Sequence, residues 1–218
     1  WRLGTDPAYL RELVTYWRDR FDWRAAERRL NAMEQFTTTI DGLRIHFVHR
    51  KSRHPNALPL LVTHGWPGSI AEFTKIIGPL TDPVAHGGVA AAAFDVVIPS
   101  IPGFAFSEAP RAAGYDPARI ATVEAALMAR LGYTRYGAQG GDWGSIISTQ
   151  VAARDSAHVA GLHLNMCFGG PPAGTAGAAG GAACACASGS RPKLPVRAAD
   201  APFDGAGDTT SGSMPAMR

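Results

Sequence analysis

Cysteine is scarce and late in this chain: the three in 218 residues are Cys167, Cys184 and Cys186. They cannot staple the core that precedes them. The spacing of 184 and 186 is not that of a zinc site, nor do they have histidine neighbours, so no metal is expected. Excess charge is also lacking. Against 21 Lys and Arg stand 18 Asp and Glu, a formal +3, which argues against a nucleic-acid surface. Arg24, Arg28 and Arg29 fall in one helical stretch and read as a solvated face. No apolar run approaches the ~20 residues of a membrane span, and no basic-then-apolar leader is present. A cytoplasmic location is the resulting expectation, and a first residue of Trp rather than Met leaves room for a leading segment. Oligomeric state is not legible.

What is present is 46% hydrophobic residues in a clear order of periods. Residues 6 to 20 open with Asp6-Pro7, suited to N-cap and first helical position, and place Leu10, Leu13, Val14 and Trp17 on one helical face. A second helix follows over 23 to 33. The period then changes to two extended runs around Asp41-Gly42, a strong hairpin signal. Beyond it strands and helices alternate. Residues 58 to 64 and 93 to 100 read as buried strands, and 69 to 80 as a helix capped by Ser69. Residues 115 to 132 read as a helix with Asp116 as N-cap, Pro117 first and Gly132 as stop. A short strand runs into a glycine turn, a helix over 143 to 154 leaves it, and 159 to 166 form a sixth strand. This order predicts an α/β fold with a parallel sheet covered on both faces, preceded by an antiparallel hairpin.

Residues 169 to 218 differ in kind: thirteen Ala, ten Gly and six Pro, with Phe203 the only aromatic. Such a segment buries too little apolar surface to offset its ordering entropy and reads as disordered. It is either a natural flexible tail or, the reading favoured here, an off-frame continuation of a GC-rich gene.

Two motifs carry chemistry. Gly140-Gly141-Asp142-Trp143-Gly144 has the spacing of a nucleophile on a sharp strand-to-helix turn, where flanking side chains would collide and glycines are required. A plainer alternative is a glycine-rich loop whose Asp142 merely caps the following helix. The second motif, His64-Gly65-Trp66-Pro67-Gly68-Ser69, ends the third strand. In α/β-hydrolase folds the loop there supplies one backbone N–H of the oxyanion hole, and the residue after the nucleophile supplies the other. Here those donors are Trp66 and Trp143. His64 reads as a scaffold residue shaping the loop rather than a base. The remaining histidines, 46, 49, 54, 86, 158 and 163, read as strand, surface or core positions.

An aspartate in place of serine narrows the reaction. A carboxylate is already ionised at neutral pH and can attack saturated carbon, opening an epoxide or expelling a halide to leave an alkyl ester. Water activated by a histidine must then hydrolyse the ester, with the oxyanion hole serving that step.

The stretches "DPAYLRELVTYWRDRFDWR", "QFTTTIDGLRIHFVH", "LLVTHGWPGSIAEF", "IPSIPGFAFSEAP", "LMARLGYTRYGAQGGDWGS" and "GLHLNM" resemble the microsomal-type and juvenile-hormone-type epoxide hydrolases, bacterial branch, over residues 1 to 168. The resemblance implies Asp142 as nucleophile, Trp66 and Trp143 in the oxyanion hole, a small-molecule epoxide as partner, no cofactor, and a role in detoxification or aromatic hydrocarbon catabolism. It also implies a helical arm over 1–35 wrapping a partial α/β-hydrolase core over 36–168, whose first six strands are present, with 169–218 as tail. In that family a helical cap bearing proton-donating tyrosines follows the sixth strand, and an acidic residue and a histidine follow on later strands. Here no histidine follows His163 and no tyrosine follows Tyr136. The general base, its acidic partner and the proton donors therefore have no counterpart, and the chain as written is expected to be inactive. Two other readings stay open: a haloalkane dehalogenase-like hydrolase, which can carry a similar elbow, and a non-catalytic hydrolase-fold remnant. The nucleotide sequence downstream of codon 168, read in three frames, is expected to reveal a histidine-bearing continuation. An intact in-frame low-complexity continuation would remove the off-frame reading.

Overall fold

A computed structural model describes residues 4–167; Cys184, Cys186 and the 169–218 segment lie outside them. Helix α1 (Pro7–Asp19) starts where the Asp6 carboxylate accepts the Ala8 and Tyr9 N–H groups, with Pro7 at its first position. Helix α2 (Trp23–Asn31) is capped by Asp22, whose carboxylate accepts the Ala25 N–H. Strands β1 (Gln35–Ile40) and β2 (Leu43–Arg50) then pair antiparallel around Asp41 and Gly42. Both turn residues have positive φ, 53° and 74°, as a two-residue turn matching the strand twist requires.

The remaining strands are β3 (Leu58–Thr63), β4 (Phe94–Pro99), β5 (Tyr136–Gly140) and β6 (Val159–Leu164), lying in one sheet of order β1-β2-β4-β3-β5-β6. Strand β4 pairs antiparallel with β2, while the β3–β4, β3–β5 and β5–β6 pairs are parallel. The period of two sorts neighbouring residues to opposite faces. Phe47, Leu61, Val97 and Ala138 pack with Ile120 and Leu127 of helix α4 (Pro117–Arg130) and Ile147 and Val151 of helix α5 (Trp143–Arg154). Val48, Val62, Val96 and Ile98 pack on the other side with Ile70 and with Ile77 of helix α3 (Ile77–Thr81).

Two expectations need correction. The single helix over 69 to 80 is instead a 3-10 turn, Ile70–Phe73, followed by the separate α3. Pro79 has no N–H for the carbonyl four residues back and its ring clashes there, so a continuous helix cannot pass. Ser69 does cap, forming a reciprocal box with Glu72. Cover on both faces fails at β6, which is largely exposed, with Leu162 at 40%. Among the described residues, helix α1 buries none of its own. Its apolar stripe, Leu10, Leu13, Val14 and Trp17, is exposed, because the described residues supply no surface opposite it. No helix among the described residues is long and apolar enough to cross a membrane.

Beneath the C-terminal edge of the sheet lies a fully buried carboxyl. Glu124 of α4 accepts the Thr63 hydroxyl at 2.8 Å, and its other oxygen has no partner among the described residues. Burial pushes it up to about 8, only partly countered by the Thr63 bond. The folded chain therefore carries it neutral where the unfolded chain, at its ordinary 4.5, is ionised. The contribution of this group to stability is accordingly greatest below that ordinary value, falls as pH rises toward the folded value, and is level above it. By pH 7 the loss is about 3 kcal/mol. Glu124→Gln should remove this contribution: between pH 5 and pH 8 the parent is expected to lose stability relative to the variant in urea melts. Equal slopes in both would contradict a neutral Glu124.

Candidate active site

Strand β5 hands over to α5 through Gly141 and Asp142 alone. Asp142 sits at φ 52°, ψ −129°, a region rare outside glycine, and such a conformation persists only where surrounding packing imposes it. The imposing contacts are backbone. A Cβ on Gly140 would lie 2.0 Å from the Gly144 carbonyl oxygen, and one on Gly144 would lie 2.2 Å from that of Thr63. The first turn of α5 thus sits directly on the end of β3.

The loop leaving β3 meets the same turn from the other side. A Cβ on Gly65 would come within 2.5 Å of the Asp142 Cβ. The next residue, Trp66, donates its backbone N–H to Asp142 Oδ1 at 2.8 Å. Asp142 makes no helix-capping bond, so the plainer reading of this residue as a cap does not describe it. The Trp66 N–H, and after it the Trp143 N–H, hold the carboxyl below its ordinary 3.8, outweighing partial burial. Two N–H groups directed at one carboxylate stabilise its ionised form. The three residues singled out from the sequence, Asp142, Trp66 and Trp143, are therefore brought together.

His64 is built into the scaffold. Its Nδ1 bonds the Gly65 carbonyl at 2.8 Å and its Nε2 accepts the Ile101 N–H at 3.1 Å. These two bonds fix a neutral ring protonated on Nδ1, and burial lowers its basicity in the same sense. With its only free lone pair occupied, His64 ties the β3 loop to the loop after β4 and is no proton acceptor.

Beside the carboxylate opens a cleft of about 540 Å³ whose walls include Trp66, Trp143, Phe104, Tyr115, Ile120 and Ile147. Apart from the two tryptophans, sequence reasoning did not find these residues. They come from the loop after β4, from the start of α4 and from α5, and nothing in their spacing marks them as one surface. No cluster of His, Cys, Asp and Glu suited to a metal occurs among the described residues.

Residues 1–73 match the family model described as epoxide hydrolase N terminus, and residues 59–172 match that of the alpha/beta hydrolase fold. A Stigmatella aurantiaca protein assigned as an epoxide hydrolase is 55% identical over 166 residues, covering 76% of this chain and 38% of that protein. Epoxide hydrolase 1 of Sus scrofa is 46% identical, covering 75% of this chain and 37% of its own length. The crystal structure of juvenile hormone epoxide hydrolase from Bombyx mori superposes with a TM-score of 0.68 at 36% identity, over 75% of this chain and 43% of that one. The chain spans 38% and 37% of the length of these two curated relatives.

The packing makes Gly144 intolerant. Gly144→Ala should destabilise by about 3 kcal/mol or more, since backbone rather than a flexible side chain must yield. Gly161→Ala, with nothing within 4 Å, should stay within about 0.5 kcal/mol of the parent. Thermal melts of the two variants check this, and equal midpoints would contradict the interlock.

Proposed function

This chain belongs to the epoxide hydrolase family of the α/β-hydrolase fold, and from that premise we propose that Asp142 opens an epoxide ring by attack on saturated carbon. One carboxylate oxygen bonds to that carbon, the carbon–oxygen bond of the strained ring breaks, and the ring oxygen leaves as an alkoxide that takes up a proton. The product of this step is an alkyl ester on Asp142. Water then adds to the ester carbonyl, the tetrahedral oxyanion is held by the Trp66 and Trp143 N–H groups, and collapse releases a vicinal diol and the free carboxylate.

The observation that carries this reading is the Trp66 N–H on Asp142 Oδ1. A donor already directed at a carboxylate oxygen is positioned for the charge that develops there in the second step, without reorganisation. The depressed Asp142 pKa also supports a nucleophile that needs no base. A haloalkane dehalogenase would share the elbow, but the match of residues 1–73 to an epoxide hydrolase N terminus favours the epoxide, and a role in detoxification or aromatic hydrocarbon catabolism goes with that reading. Residues 1–35 act as the arm and 36–168 as the core, the substrate is a small-molecule epoxide, and the location is cytoplasmic. An engaged His64 supplies no water-activating base, so the 218-residue polypeptide stops at the ester and is inactive in turnover.

Incubation with styrene oxide followed by mass spectrometry should reveal a single slow adduct on Asp142, absent in Asp142→Asn, with no sustained diol release. Steady diol production would overturn the arrested-ester reading, and no adduct with any epoxide would overturn the nucleophile. The adduct rate should be level with pH across the neutral range. Its acid limb should fall below the ordinary carboxylate value of 3.8, because the ionised form reacts and the two N–H groups favour it. A rate that climbs between pH 6 and pH 8 would implicate a different group.

A further inference from the structure

The cleft beside Asp142 has one wall residue whose polar end is held from outside. Tyr115 lines the cleft, yet its hydroxyl is directed away and donates to Asp41 Oδ2 at 2.7 Å. The same oxygen accepts Arg119 Nε and Nη2, both at 2.8 Å. The Arg119 guanidinium also lies over the Tyr115 ring, 4.2 Å from its centroid. Asp41 is the first turn residue of the β1–β2 hairpin and, despite its side chain, adopts φ 53°. Its flanking residues Ile40 and Leu43 are buried in the core cluster against which Tyr115 packs. The chain around Tyr115 is positioned as well, because Asp116 caps α4 through the Arg119 N–H.

We infer that the Asp41–Arg119 pair at the hairpin tip is a latch that fixes the Tyr115 ring as a wall of the cleft and so sets how large an apolar group the cleft admits. This rests on reading the cleft as the substrate site. The pair is only about half buried, so it adds little to global stability. What it supplies is direction. Three donors converging on one oxygen fix the phenol's hydroxyl, and the stacked guanidinium limits rotation of its ring. Asp41 is separated by 74 residues from Tyr115 and does not line the cleft, so it is a positioning residue acting through the wall.

The experiment compares two unreactive diols, 1-phenylethane-1,2-diol with one ring and 1-(2-naphthyl)ethane-1,2-diol with two, titrated into the full chain while the indole N–H resonances of Trp66 and Trp143 are followed. Tyr115→Ala removes the wall and should shift relative affinity toward the two-ring diol by about tenfold. Asp41→Asn should shift it the same way by about threefold, since the ring stays but the charge that draws the Arg119 guanidinium onto it is lost and the hold is weakened. Tyr115→Phe keeps ring and stack, loses only the hydroxyl, and should give a similar, smaller shift, which serves if the hairpin variant does not fold. An unchanged ratio in folded Asp41→Asn or Tyr115→Phe would overturn the latch. A parent chain that binds neither diol would overturn it too, even if small epoxides still alkylate Asp142 and the proposed function stands. A shifted ratio without any adduct would support the latch while removing the proposed chemistry.

Discussion

Everything at the site depends on the close approach of two backbones, the first turn of α5 against the end of β3. Gly144 stands where a Cβ would meet the Thr63 carbonyl oxygen at 2.2 Å, and Gly65 where one would meet the Asp142 Cβ at 2.5 Å. Both contacts exclude side chains, and together they leave Asp142 no relaxed conformation. Its positive φ follows from that confinement, and its carboxylate is carried to the Trp66 N–H as a result. The strain is stored in the turn and resisted by the sheet, whose parallel β3–β5 register, Thr63 opposite Gly140, fixes the two partners.

The same confinement sets the electrostatics. A carboxylate receiving N–H dipoles is easily kept ionised, and beside an apolar cleft those dipoles act with less screening than in water. His64 lies in the same loop, but its ring is committed to Gly65 and Ile101. It holds the β3 and β4 loops in fixed relation, so the donor at Trp66 does not drift. One histidine is thereby converted from a chemical group into a spacer by two hydrogen bonds.

Around this centre the hairpin is more than an appendage. His46 on β2 bonds Ser100 at 2.9 Å and Gln35 at 3.0 Å, and its backbone N–H is accepted by the Ser107 hydroxyl. Glu108 exchanges backbone and side-chain bonds with Arg44. These contacts pin the loop after β4, which carries Ile101 and Phe104 into the cleft. Burial holds His46 down at about 4, so its ring is neutral at ordinary pH and its bonds to Ser100 and Gln35 stay intact.

Much of the outline was legible because it is local. Caps at Asp6, Asp116 and Ser69, the Asp41-Gly42 turn and the glycine spacing around Asp142 each act within a few residues, and each occurs where the pattern puts it. The break between Phe73 and Ile77, imposed by Pro79 in the first turn of α3, was also local, and apolar periodicity hid it. By itself the sequence determined the order of strands and helices and the identity of an aspartate on a tight turn. Only the tertiary structure decided that this aspartate meets Trp66 across 76 residues, that His64 is bound on both nitrogens, and that Tyr115 shares a cleft with Trp143. Those outcomes depend on which backbones approach within van der Waals contact, a property of sheet register and helix packing that no spacing along one chain encodes.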